Sequence, residues 1–230
     1  MVIYNRVCYN TLMNRNYSKE LENIIKNNAG HKPSVLLQSC CGPCSSAVLE
    51  CLTQYFDVTL LWYNPNLFPE EEFERRLRTQ EQLIEGMGLS ESVRILAEPW
   101  RSEDYYAVVR GLENEPEGGR RCVECFRLRL TETARLAKLH GYDYFCTTLT
   151  LSRHKNAVII NSLGEEIGKA SGVRWLPSDF KKHGGELRSV ELSEKYGLYR
   201  QKYCGCEFSM RRVKESEPVA YKRMPEDSDE

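Results

Sequence analysis

The chain has 230 residues, of which 41% are hydrophobic and 28% charged, and its net charge is −1. That profile fits one soluble α/β domain and excludes both a disordered chain and two full domains. No apolar run is long enough to span a bilayer. The opening stretch, MVIYNRVCYNTLMNRNY, lacks the apolar core and cleavage site of a secretory leader, so the expected location is the reducing cytoplasm.

In chain order, Leu21, Ile24 and Ile25 predict a short helix over SKELENIIKNN with Ser18 as its N-cap. Val35, Leu36 and Leu37 read as a buried parallel strand. Pro43 suits the first turn of the helix that follows, through SSAVLECL, because its missing N–H costs nothing there. Residues 56–63 form a second apolar strand, ended by Asn64-Pro65-Asn66. EEEFERRLRTQEQLIEGMG is amphipathic, with acids in its first turn, and predicts a long helix. A third strand is expected over 92–97, a polar loop over 113–121 and a helix over 122–139. Strands over 142–147 and 173–176 then flank a helix over 156–170. Alternating strands and helices imply a doubly wound α/β domain with a parallel sheet. The expected division is an N-terminal extension over 1–33, the domain over 34–210, and a charged, disordered tail over 211–230.

Ten cysteines in a reducing compartment point to metal or redox chemistry rather than a disulfide framework. Cys40 and Cys41 fall where the first strand meets a helix, in the crevice where open parallel sheets bind ligands. Helix N-terminal N–H groups favour thiolate, the form that binds metal. Cys122 and Cys125 also stand at a predicted helix start, spaced so that both sulfurs can turn to one centre. Two such pairs supply four ligands, which suits zinc or a [4Fe–4S] cluster. Cys44, one turn on, is either a further ligand or the first buried residue of its helix. Cys204-Gly205-Cys206 reads as a dithiol that cycles with a strained disulfide, as ligands to a second metal, or as surface thiols. Cys51 and Cys146 fit buried apolar positions, and Cys8 has no supporting context.

The runs LLQSCCGPCSSAVLE, WYNPNLFPEEEFERR, GGRRCVECFRLRLTETARLA, DYFCTTLTLS, SDF and LYRQKYCGCEFS, in that order, resemble the cobalamin-independent epoxyqueuosine reductases over about residues 34–210. The resemblance implies a Rossmann-like domain similar to nucleotide α-hydrolases, with cysteines where those relatives cradle phosphate. It implies removal of the epoxide oxygen of epoxyqueuosine in tRNA, with two electrons and two protons, to leave queuosine. It further implies a [4Fe–4S] cluster held by Cys40, Cys41, Cys122 and Cys125, with a single iron nearby, and a redox-active Cys204/Cys206 pair. The segments LSRHKN and SDFK depart from the family's usual pattern, which bears on substrate contacts.

Cys44 and Asp179 are candidates for the second iron, and Asp179 also for a proton donor, against a plain capping role. His154 and His183 are further proton donors to consider. Residues 120–212 carry a net +8, against −6 for 1–119 and −3 for 213–230. A basic face for an anticodon stem-loop would draw on Arg120, Arg121, Arg153, Lys155, Lys181, Lys182, Arg200 and Lys202, with Tyr199 and Tyr203 available to stack on a base. An unidentified electron donor is a further expected partner, and no membrane is. The competing readings are a zinc-bound RNA-binding protein and an ATP-using tRNA sulfur transferase.

Overall fold

A computed structural model describes residues 15–216, so Cys8 and the acidic stretch 217–230 lie outside the described residues. The first helix, α1, spans Tyr17–Asn27. Its N-cap is Asn16, whose side chain accepts from the Lys19 N–H at 3.1 Å. Ser18, expected in that role, instead donates to the Asp179 carbonyl and ties α1 to the domain.

Strand β1 (Ser34–Gln38) leads into α2 (Gly42–Leu52), and β2 (Asp57–Trp62) into α3 (Glu70–Gly86). Strand β3 (Arg94–Ala97) is followed by α4 (Ser102–Val109) and α5 (Arg120–Leu139). Helix α5 begins two residues before the expected start, so Arg121 belongs to its first turn rather than to a loop. Strand β4 (Tyr144–Thr147) runs into a 3₁₀ turn (Thr148–Leu151), then α6 (Ala157–Ser171) and β5 (Arg174–Trp175). Two helices absent from the sequence reading close the fold: α7 (Gly185–Lys195) and α8 (Glu207–Ser216), the latter crossing position 210.

The five strands form one all-parallel sheet in the order β3-β2-β1-β4-β5. Side chains alternate across it. Val35, Leu37, Val58 and Leu60 pack with α1, α2 and α3 on one face. Leu36, Leu61 and Phe145 pack with α5 and α6 on the other. This is the expected doubly wound arrangement. Gly164 is required where α6 crosses β5, because a Cβ there would lie 2.2 Å from the Trp175 ring. No helix among the described residues is long and apolar enough to cross a membrane.

Candidate active site

The strand order reverses between β1 and β4, which opens a crevice at their carboxyl ends. Cys40 and Cys41 leave β1 there, and Cys41 is the extended N-cap of α2. Cys44 follows on the first turn. Among the described residues, Cys40, Cys41 and Cys44 are the one group of three whose candidate ligand atoms all lie within 4.8 Å of one another. The sulfurs of Cys40 and Cys41 are 3.8 Å apart. Four sulfurs set tetrahedrally about 2.3 Å from one ion stand ~3.8 Å apart, so this group has the span of a single-ion site. Thr148, from the turn after β4, donates to the Cys40 sulfur at 3.5 Å, and Gln201 Nε2 donates to the Cys41 sulfur at 3.2 Å. Donation from Cys41 and Cys44, with the charges of Lys155 and Arg129, holds Cys40 well below the ordinary thiol range. Cys41, sharing that proton, is pushed up to about 11.

Cys122 and Cys125, from the first turns of α5, line a narrow inner cavity together with Cys204 and Cys206. The Gly118 N–H donates to the Cys122 sulfur at 3.2 Å. Burial raises Cys122 and Cys206, and pushes Cys125 up to about 12. No three of these four sulfurs crowd as the first group does, a spacing better suited to a centre of several metals than to one ion. The cavity also receives Arg129, which is 2% exposed. One Arg129 nitrogen donates to Asn64 Oδ1 at 2.6 Å, and its Nε has no partner. Four thiols beside a buried, incompletely satisfied cation suit an anionic thiolate-bound metal centre.

The Cys204–Cys206 segment is held from below. Arg76, on α3, is 1% exposed and pairs with Glu72 at 2.7 Å. It also donates to the carbonyls of Cys204 (3.1 Å) and Tyr203 (3.4 Å). Gly205 has φ +128°, and a Cβ there would fall 2.4 Å from Leu67 Cδ2, so only glycine fits. Outside this segment opens a larger cavity of about 640 Å³, lined by Cys40, Cys44, Arg200, Lys202, Tyr203 and Cys204 among others. Cys204, Lys155, His154 and Glu117 line both cavities and form their common wall.

Cys40 and Cys41 meet Cys44, while Cys122 and Cys125 share their cavity with Cys204 and Cys206. Asp179, expected near a metal, lines neither cavity, and its carboxylate accepts from Lys181 Nζ at 2.7 Å. That pairing also engages Lys181. Arg121, expected on an RNA-facing surface, is 1% exposed and donates to the carbonyls of Leu112, Glu113 and Glu115. Lys155 is half-buried between the cysteine groups. Arg120, Arg153, Lys182, Arg200 and Lys202 remain exposed. His183 is exposed and faces Glu22. The Tyr199 ring is covered by Arg75, whose guanidinium lies 3.5 Å from the ring centroid, and Tyr203 donates to the Phe68 carbonyl.

Arg76, Arg129, Gln201, Thr148 and Glu117 were not singled out from sequence. A signal existed for two of them: Arg76 and Arg129 fall on the apolar faces of their helices, Arg129 one turn after Cys125.

Residues 35–212 match the family described as Epoxyqueuosine reductase QueH. The chain belongs to this family. Relatives named Epoxyqueuosine reductase QueH include one from Staphylococcus epidermidis, 43% identical over 200 residues, covering 84% of this chain and 84% of the relative. Another, from Streptococcus pyogenes, is 41% identical over 198 residues, covering 84% and 78%. A third, from Thermotoga maritima, is 33% identical over 192 residues, covering 80% and 95%. The family match takes in every cysteine of both groups.

Proposed function

We propose that this chain is a cytoplasmic oxidoreductase that converts epoxyqueuosine in tRNA to queuosine, the last step of queuosine biosynthesis. Two electrons and two protons enter, and the epoxide oxygen leaves as water. The observation that carries this reading is the convergence of six cysteines on two adjoining cavities, with Cys41 3.8 Å from Cys40 beside them, in a chain whose relatives are named for the reaction.

Cys122, Cys125, Cys204 and Cys206 would hold a [4Fe–4S] cluster, and Cys40, Cys41 and Cys44 an adjacent iron. A bound cluster supplies low-potential electrons one at a time, replenished by a separate protein or small-molecule reductant. The chain's own groups do the rest. The outer cavity is large enough to take the modified base, with the Tyr203 ring in its wall. Exposed Arg153, Arg200 and Lys202 surround its lining and face the phosphates of an anticodon stem-loop. Glu117 and His154, in the common wall, are placed to deliver protons, and the Glu117 carboxylate is positioned by Ser209 Oγ at 3.3 Å.

A second arrangement keeps Cys40, Cys41, Cys122 and Cys125 as the cluster ligands and Cys204/Cys206 as an exchanging dithiol. It draws support from Cys204, which lines both cavities. Cys204→Ser separates the two. In the first arrangement the variant purified without oxygen loses the cluster's colour and iron. In the second it keeps both and fails only at repeated turnover. The function itself is tested by nucleoside mass spectrometry of tRNA from cells lacking this protein: epoxyqueuosine accumulates if the proposal is right, and unchanged queuosine refutes it.

A further inference from the structure

Seven cysteines would place several negative charges at the carboxyl end of the sheet once they bind metal, and beside those sulfurs stand two cations that form no ion pair, although the Glu117 carboxylate lines the same wall. Arg129 rises from α5 one turn beyond Cys125, is sealed from solvent, and among the described residues its side chain is anchored through Asn64 alone. Lys155 approaches from the loop before α6, half-buried, in the wall shared by the two cavities. Among the described residues neither cation lies within ion-pair distance of a carboxylate. The neighbouring basic residues differ: Arg153 faces Glu186, Lys181 holds Asp179, and Arg76 holds Glu72. A buried cation with no carboxylate is costly unless the charge it faces is supplied by something else.

We propose that Arg129 and Lys155 are the fixed counter-charges of the sulfur-bound centre, and that Lys155 sets its reduction potential rather than gripping a tRNA phosphate. This rests on the metal-bound reading above. Arg129 lines the inner cavity with its four sulfurs and Lys155 lines the wall shared by both cavities, so each favours the more negative, reduced state of the centre. Arg129 also holds Asn64, which in turn donates to the Ser39 carbonyl just before Cys40, so its loss would disturb packing. Lys155 has no such structural duty, which makes it the residue to change.

The experiment compares wild-type holoprotein, Lys155→Met and Lys155→Arg, purified without oxygen, by redox titration of visible absorbance and by tRNA retention at two salt concentrations. Removing a positive charge makes reduction harder. At a fixed potential, Lys155→Met should therefore show about a tenfold lower ratio of reduced to oxidised centre, equivalent to ~59 mV for one electron. Its tRNA affinity should stay within about twofold, and Lys155→Arg should restore the wild-type ratio. A folded Lys155→Met that loses iron while Lys155→Arg keeps it also supports a counter-charge. An unchanged potential, or a loss of tRNA affinity with a shallower salt dependence, overturns the assignment and returns Lys155 to the phosphate contacts. Wild-type protein that holds no iron refutes the metal-bound reading itself, an outcome distinct from an unchanged potential.

Discussion

Replacing Arg76 with Met tests how the Cys204–Cys206 segment is held. The guanidinium is 1% exposed, pairs with a Glu72 side chain that is 9% exposed, and donates to two carbonyls of the segment. Met fills much of the same volume, so the main loss is electrostatic. It leaves Glu72 buried with only the Tyr199 hydroxyl still donating to it, at 3.2 Å. Removing one partner of a buried ion pair costs ~3–5 kcal/mol, against a whole-domain stability of ~5–15 kcal/mol. For a chain of this size that lowers Tm by ~6–20 °C. Thermal unfolding followed by far-ultraviolet circular dichroism reads the change. Arg76→Met with Glu72→Gln should recover more than half of the loss, because the stranded charge is gone. A fall in Tm below ~2 °C, or a double variant as unstable as the sum of the singles, would refute the argument.

Two other outcomes follow from the same geometry. Gly205→Ala introduces a Cβ against Leu67 and Arg76 at φ +128°, and should destabilise by ~2–4 kcal/mol in urea unfolding while lowering bound iron. Asp143 accepts from the Ser34 N–H (2.9 Å) and hydroxyl (3.0 Å), the N–H most strongly holding its carboxyl below the ordinary range, with Arg174 assisting. A depressed folded pKa means the contribution is complete above the unfolded value of ~3.9 and is lost as pH falls through the folded one. The Tm gap between wild type and Asp143→Asn should therefore be constant near neutrality and close below about pH 4, and a gap that widens on acidification would contradict this.

The parallel sheet was legible because its strands are short apolar runs between helices of clear 3.6-residue period, a pattern set locally. Helix α4 escaped because it has eight residues and buries only Tyr105 and Val109. Helix α7 begins between two glycines and buries Ser189 and Ser193 beside Leu192, so its inner face does not read as apolar. The cysteine motifs were equally local, and each pair was visible by spacing. Which pairs meet was not, because Cys204 and Cys206 reach Cys125 only after α3 and the 64–69 loop have fixed them through Arg76 and through the Phe68 N–H to the Gly205 carbonyl. The buried arginines were hidden for a related reason: a charged letter reads as surface until its partners, two main-chain oxygens or an asparagine, are known in space.

Arg121 has a consequence for how the inner cavity is walled. Its guanidinium grips three carbonyls of the 112–115 turn, while the following Gly118 touches the Cys122 sulfur. That turn and the thiols of α5 are thereby fastened into one rigid jaw. The stretch around Gln201–Cys206, across the cavity, is held instead on α3 through Arg76 and on the 64–69 loop through the Phe68 N–H, so the two sides of the cavity are fastened by separate elements.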